Sequence, residues 1–306
     1  MGLAGLAYAR FILRRNDLLE PEPVLDSHGF PLPERTFEYS DGERVSLIDT
    51  GSGVPILWVP GADGPKETYR YQLPWFTDRY RVIAADLRKR FAAGDDFDRF
   101  TTDLTELIES LETGPVVLVG QSLGSAIGVR FAYLRPDLVR GLVLSNPVVR
   151  ISYEHVGLNR VALVPVARGT TRYLPTPLAD VTARLWCKGN VWIFDNSPGR
   201  QNLVRYALWT GPRTVRSGVS SRRVDLLKET DLLAELPSIA APTLVIKGPE
   251  DTYCPEQWAL DIDALIPESR YIAIPRGGHC CHISLPGAFN RALDGWLDEL
   301  LRGNGE

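Results

Sequence analysis

Several things are scarce in this sequence, and each scarcity excludes something. Its 306 residues include four Cys, four His and one Met. Four Cys are too few for a disulfide-built scaffold in a chain this long, and a core of this size needs no such staples. Net charge is also nearly absent: 34 Lys and Arg against 38 Asp and Glu leave −4 and a pI near 5.7. That balance gives no global pull toward nucleic acid or an anionic membrane. No apolar run is long enough to span a bilayer. The apolar start Met1–Leu13 contains Arg10, lacks a basic beginning and runs into Arg14 and Arg15, so it does not read as a secretory signal. Leu6 stands where a myristoylation signal needs Ser or Thr. The stretch is expected to be an amphipathic helix docked on the main domain or on a partner chain, through a homodimer or through interfacial membrane contact. The protein is expected to be cytoplasmic. With 44% hydrophobic and 24% charged residues, wholesale disorder is excluded as well.

What is present alternates. Beyond a Pro-rich linker (Pro21, Pro23, Pro31, Pro33), Phe37–Tyr39 and Val45–Asp49 flank Asp41-Gly42, a hairpin signal. The later apolar runs are continuous: Ile56–Val59, Val82–Ala85, Val116–Val119, Leu142–Leu144, Leu244–Ile246 and Tyr271–Ile274. Continuous runs mean strands buried on both faces, as in a parallel sheet covered by helices. Helical patterns fill the gaps around Tyr69–Thr77, Asp98–Leu111, Ser122–Leu134, Glu256–Leu265 and Pro286–Leu301. The fold class is α/β, a three-layer arrangement with a mostly parallel sheet.

One region breaks the rhythm. Between Val148 and Pro237 there is no buried-strand run. Ser197-Pro198 reads as a helix start, Gly211-Pro212 as a helix stop, and Val224–Leu236 as a further helix. About 90 residues is too long for an ordinary connection, so residues 149–237 are expected to be a helical cap. The division is then 1–33 as N-terminal helix and linker, 34–148 and 238–306 as core, and 149–237 as lid. From Arg150 to Ser238 the charges sum to +6, leaving −10 elsewhere. That asymmetry is either a solvated surface or a field that attracts an anionic substrate.

The chemistry starts at Gly120-Gln121-Ser122-Leu123-Gly124, between the strand Val116–Val119 and a helix. It is a nucleophile elbow in its required strand–turn–helix context. Small residues at Gly120 and Gly124 let strand and helix backbones approach. The helix N-terminus offers free N–H groups, that of Leu123 among them, where an oxyanion forms. A Ser hydroxyl needs a base. His279, after the last strand and behind Gly277-Gly278, is the best placed of the four. His28 and His155 lie in the linker and the cap. His282 is the alternative base, with a surface or supporting role otherwise. The acid that fixes the base is expected at Asp251, just past a strand, with Glu250 the neighbouring alternative. Ser145-Asn146-Pro147 offers no carboxylate.

The order Ser, Asp, His, on these motifs, resembles the α/β-hydrolase superfamily in its capped, carboxylesterase-like branch. The likeness covers about residues 34–148 and 238–302. It implies a catalytic triad of Ser122, Asp251 and His279, no cofactor, and an oxyanion hole from the Leu123 N–H and an N–H after the third strand. Family members usually carry His-Gly there; this chain has Pro60-Gly61-Ala62, which places the second donor at Ala62 and removes a loop-bracing His. Arg88 and Arg90, where the family often has a Gly-rich turn, are expected to brace a loop, with substrate contact the alternative. His279-Cys280-Cys281-His282 is too tightly spaced for a zinc site, so no metal is expected. Aromatic residues (Tyr153, Tyr173, Trp186, Trp192, Phe194, Tyr206, Trp209) should build the cap core and an apolar pocket wall. The implied reaction is hydrolysis of a small-molecule carboxylic ester through an acyl-enzyme. Thioester, lactone, amide and C–C bond cleavage by the same triad remain open, as does a ligand receptor without turnover.

Overall fold

The computed structural model describes residues 23–150, 178, 191, 196–217 and 219–303. The expected N-terminal helix, His155, Tyr153, Tyr173, Trp186, Trp192 and Phe194 lie outside the described residues. β1 (Glu34–Glu38) and β2 (Arg44–Thr50) pair antiparallel across the Asp41-Gly42 turn, where Gly42 takes φ +78°. Six parallel strands follow: β3 (Pro55–Val59), β4 (Arg81–Ala85), β5 (Val116–Gln121), β6 (Val139–Ser145), β7 (Thr243–Lys247) and β8 (Ser269–Ala273). Among the described residues they form one eight-stranded sheet in the order β1-β2-β4-β3-β5-β6-β7-β8. β3, β5 and β7 are buried at every position, which is why their sequences show no alternation.

Alternate residues of these strands feed two cores. Leu57, Ile83, Leu118, Leu142 and Val245 face one layer, while Ile56, Trp58, Val117, Val143 and Leu244 face the other. The first layer is closed by α2 (Asp98–Ser110), α3 (Leu123–Leu134) and α6 (Glu256–Leu265). The second is closed by the short α1 (Leu73–Phe76) and by α8 (Pro286–Gly303), after the single turn α7 (Cys281–Ser284). Phe100, Leu104, Leu107 and Ile108 on α2, and Phe289, Leu293, Trp296 and Leu297 on α8, repeat the same i, i+4, i+7, i+8 stripe. The architecture is the α/β sandwich expected. No helix among the described residues is long and apolar enough to cross a membrane.

Between β6 and β7 the described residues contain no strand. They contain α4 (Arg200–Ser217), α5 (Val219–Lys228) and a 3-10 turn at Leu236–Ser238. Two boundaries differ from those read in the sequence. α4 does not stop at Gly211-Pro212 but continues to Ser217; Pro removes one helical donor, a loss that a helix anchored by buried Tyr206 and Trp209 tolerates. The pattern Val224–Leu236 is not one helix. α5 ends at Lys228, where Asp231 accepts the Leu233 N–H in a local turn that competes with helix. Leu226, Leu227, Leu232 and Leu236 nonetheless join the main core, so α5 is packed onto the sheet layer itself.

Candidate active site

Strand order decides what can meet. β3 sits between β4 and β5, so the chain leaves it in one direction and returns on the other side. The loops after β3 and β5 therefore lie side by side at the carboxyl edge of the sheet, the usual location of a ligand crevice in such folds. The loops after β6, β7 and β8 continue along that edge and bring Asn146, Asp251 and His279 to it.

Ser122 takes φ 52° and ψ −117°, a conformation that non-glycine residues rarely adopt. The surroundings over-determine it: its N–H donates to Ser145 O at 2.9 Å, and its carbonyl accepts from Ser125 N–H at 2.9 Å and Ser125 Oγ at 2.7 Å. The flanking glycines are sterically required. A Cβ on Gly120 would strike the Gly124 carbonyl, and one on Gly124 would strike the carbonyls of Val59 and Pro60. The elbow is thus pressed against the end of β3. Gln121 Nε2 also reaches the His279 carbonyl at 3.2 Å, tying the elbow to the loop after β8.

In that loop His279 Nδ1 lies 2.9 Å from Asp251 Oδ2. Asp251 is held from every side. Oδ1 accepts the backbone N–H groups of Tyr253 and Cys254, at 2.7 and 3.1 Å. Oδ2 also accepts from Asn146 Nδ2 at 3.0 Å and from Lys247 Nζ at 2.6 Å. Burial pushes the Asp251 carboxyl up, yet His279 and then Lys247 outweigh it and hold it well below the usual carboxylate range. Burial pulls His279 down, but Asp251 prevails and holds the imidazole above its ordinary value. The Tyr253 ring covers the imidazole, with centroids 5.1 Å apart. Among the described residues no hydrogen bond joins Ser122 to His279; such bonds are often long before substrate binds. Glu250 is exposed and contributes only its backbone N–H, to Gly277 O, so the neighbouring carboxylate is not the one at the imidazole.

The loop after β3 holds Ala62, whose N–H finds no acceptor among the described residues. Leu123 is the first residue of α3, so its N–H has no partner within the helix. The family's bracing His is absent, but the loop is braced by a residue that the sequence reading passed over. Arg223 of α5 is 1% exposed. Its guanidinium donates to Ala62 O (2.9 Å), Asp63 O (3.0 Å), Leu87 O (2.9 Å) and Arg88 O (2.7 and 3.2 Å). It thereby staples the loop after β3 to the loop after β4. Gly64, at φ +90°, has no room for a Cβ because the Arg223 guanidinium fills that space.

Arg88 and Arg90 do brace a loop. Arg88 is buried against Asp103 (2.6 and 2.9 Å) and reaches Asp41, and Arg90 pairs with Glu43. His282 is not at the surface. It is fully buried on α7, with Nε2 3.0 Å from Thr68 Oγ1 and its ring between Tyr69 and Phe289. Burial, helped by the charge of His279, drops its pKa to about 3, which leaves it neutral. Cys281 is buried, and its Sγ donates to Asn146 Oδ1 at 3.1 Å. Asp251, Cys254 and His279 bring one ligand atom each within 4.8 Å of the others. The Lys247 ammonium already holds the cation's place on Asp251.

Comparison with known proteins agrees with this architecture. A 2-hydroxy-6-oxo-2,4-heptadienoate hydrolase of Pseudomonas putida is 28% identical over 274 residues, covering 84% of this chain and 93% of the relative. A thermophilic esterase from Thermogutta terrifontis superposes with a TM-score of 0.69 at 23% identity, over 88% of this chain and 99% of that one. A bromoperoxidase from Bacillus anthracis gives 0.72 at 21% identity, over 87% and 100%. At these identities the two solved structures speak for the fold. Residues 56–292, most of the chain, match the alpha/beta hydrolase family, and the chain belongs to it.

Proposed function

We propose that this chain is a serine hydrolase that cleaves a carboxylic ester through an acyl-enzyme. Ser122 attacks the carbonyl, and His279 takes its proton and passes it to the leaving alcohol. Asp251 orients His279 and stabilises the imidazolium. The N–H groups of Ala62 and Leu123 receive the oxyanion, and water then resolves the acyl-enzyme. The observation that carries this reading is the 2.9 Å bond from His279 Nδ1 to Asp251 on the same sheet edge as the strained Ser122. The excess of positive charge that the sequence carries between β6 and β7 favours anionic acyl groups. A panel of p-nitrophenyl esters of graded acyl length, run with wild type and Ser122→Ala, tests it. Turnover that disappears in the variant is expected. No turnover by wild type, or turnover that survives the substitution, would sink the ester reading. Hydrolysis of an anionic oxo-dienoate by the same residues is the second reading, favoured by the Pseudomonas relative. It predicts that such an acid outpaces every ester in the panel, with kcat/KM falling as salt is added.

A further inference from the structure

Lys247 is the last residue of β7, and its side chain is 0% exposed. Its ammonium donates to Asp251 Oδ2 and to the Cys254 carbonyl, both at 2.6 Å. The same Oδ2 accepts from His279 Nδ1 at 2.9 Å and from Asn146 Nδ2 at 3.0 Å. Ammonium, carboxylate and imidazole therefore meet at one oxygen.

That meeting point has a chemical consequence. A buried carboxylate facing an imidazole strongly favours imidazolium, and a base left protonated near pH 7 cannot take a proton from Ser. A second cation on the same carboxylate offsets part of that field. The remaining groups facing His279 do not supply it: Cys254 lies beside the imidazole, Asp63 faces it from the loop after β3, and His282 behind it is uncharged. Asn146 holds the same oxygen without charge and lies beside the Cys281 thiol.

We propose that Lys247 is a positioning and charge-balancing residue, whose ammonium fixes Asp251 against His279 and sets the pH at which the imidazole gives up its proton. The proposal rests on Asp251 and His279 being the acid and base of the hydrolase. Lys247→Met removes both charge and hydrogen bonds, whereas Lys247→Gln removes the charge but keeps an N–H donor on a side chain one bond shorter. His279 is followed by its Cε1–H NMR signal in protein with 13C-labelled histidine, the signal being assigned with His279→Gln. Loss of the cation favours imidazolium, so the His279 midpoint should rise by about one to two pH units in both variants. The acid limb of kcat/KM for p-nitrophenyl acetate should move up with it.

A midpoint unmoved in both variants overturns the proposal. So does one raised in Lys247→Met but like wild type in Lys247→Gln, since the charge would then be idle. If Lys247→Met fails to fold, the Lys247→Gln midpoint decides alone in the same two directions. Should wild type turn over no ester, the ester reading falls while the NMR midpoint still rules on Lys247.

Discussion

Arg223→Met removes the guanidinium that ties two loops together while keeping an unbranched apolar stem. Five hydrogen bonds to the carbonyls of Ala62, Asp63, Leu87 and Arg88 disappear. Each bond from a charged donor contributes roughly 1.5–3 kcal/mol, so the four carbonyls together represent about 6–12 kcal/mol gross. Against this stands the cost of burying the cation. Burial pulls the Arg223 pKa down to about 10 from 12.5, only partly offset by Asp63 and other acidic neighbours, which corresponds to about 3 kcal/mol. The net loss of stability is therefore roughly 3–9 kcal/mol, a large value for a single substitution.

The catalytic effect follows from which carbonyls are freed. Ala62 and Asp63 lie on the loop whose N–H is the proposed oxyanion donor, and losing one such donor typically costs about 10²–10³ in kcat. Arg223→Met should thus lower kcat for a short p-nitrophenyl ester by about 10²-fold with KM little changed, because the ground-state ester scarcely uses the hole. Arg223→Lys, able to reach part of the carbonyl set, should recover part of both losses. Urea denaturation supplies the stability value and initial rates supply kcat and KM. A folded Arg223→Met protein with wild-type kcat would refute the clamp as a positioning device. A urea midpoint equal to wild type would refute the energetic account.

Two further outcomes follow from the geometry. Gly120→Ala drives a Cβ into the Gly124 backbone, so the urea midpoint should fall by the equivalent of about 3 kcal/mol, and an unchanged midpoint would disprove the close approach. His282 titrates at about 3 when folded and near 6.5 when unfolded. The unfolded chain therefore binds the extra proton, and stability is lost as pH falls from about 6.5 to about 3 at up to roughly 1.4 kcal/mol per pH unit. His282→Gln should remove close to one proton from that slope, and identical slopes in the two proteins would contradict the buried neutral imidazole.

The sheet was legible because its strands are wholly buried. A continuous run such as Ile56–Val59 has no other economical reading, and the observed strands begin and end within a few residues of the runs. The elbow was legible because close backbone approach restricts Gly120 and Gly124 to residues without a Cβ, a demand visible in one dimension. Asp251 and Glu250 were harder to separate. Adjacent carboxylates differ only in which way the turn after β7 faces, and that is set by the Tyr253 and Cys254 N–H groups that gather Oδ1.

Lys247 and Arg223 escaped because a basic residue is ordinarily solvated, and only a tertiary partner makes its burial tolerable. Neither was without a signal, however. Lys247 closes the run Thr243-Leu244-Val245-Ile246, and a strand buried on both faces at the carboxyl edge of a sheet offers its last side chain to the site, not to bulk water. Arg223 stands three and four residues before Leu226 and Leu227, and so falls on the apolar stripe of its own helix. Its neighbour Arg222 falls off the stripe and is exposed. A cation at a position whose periodicity demands burial needs a cluster of acceptors where the helix docks. In this fold a ready cluster is the set of carbonyls left unpaired where β3 and β4 end. The missing loop His and the misplaced Arg are thus two halves of one observation: the loop after β3 has no local His brace and is held from α5.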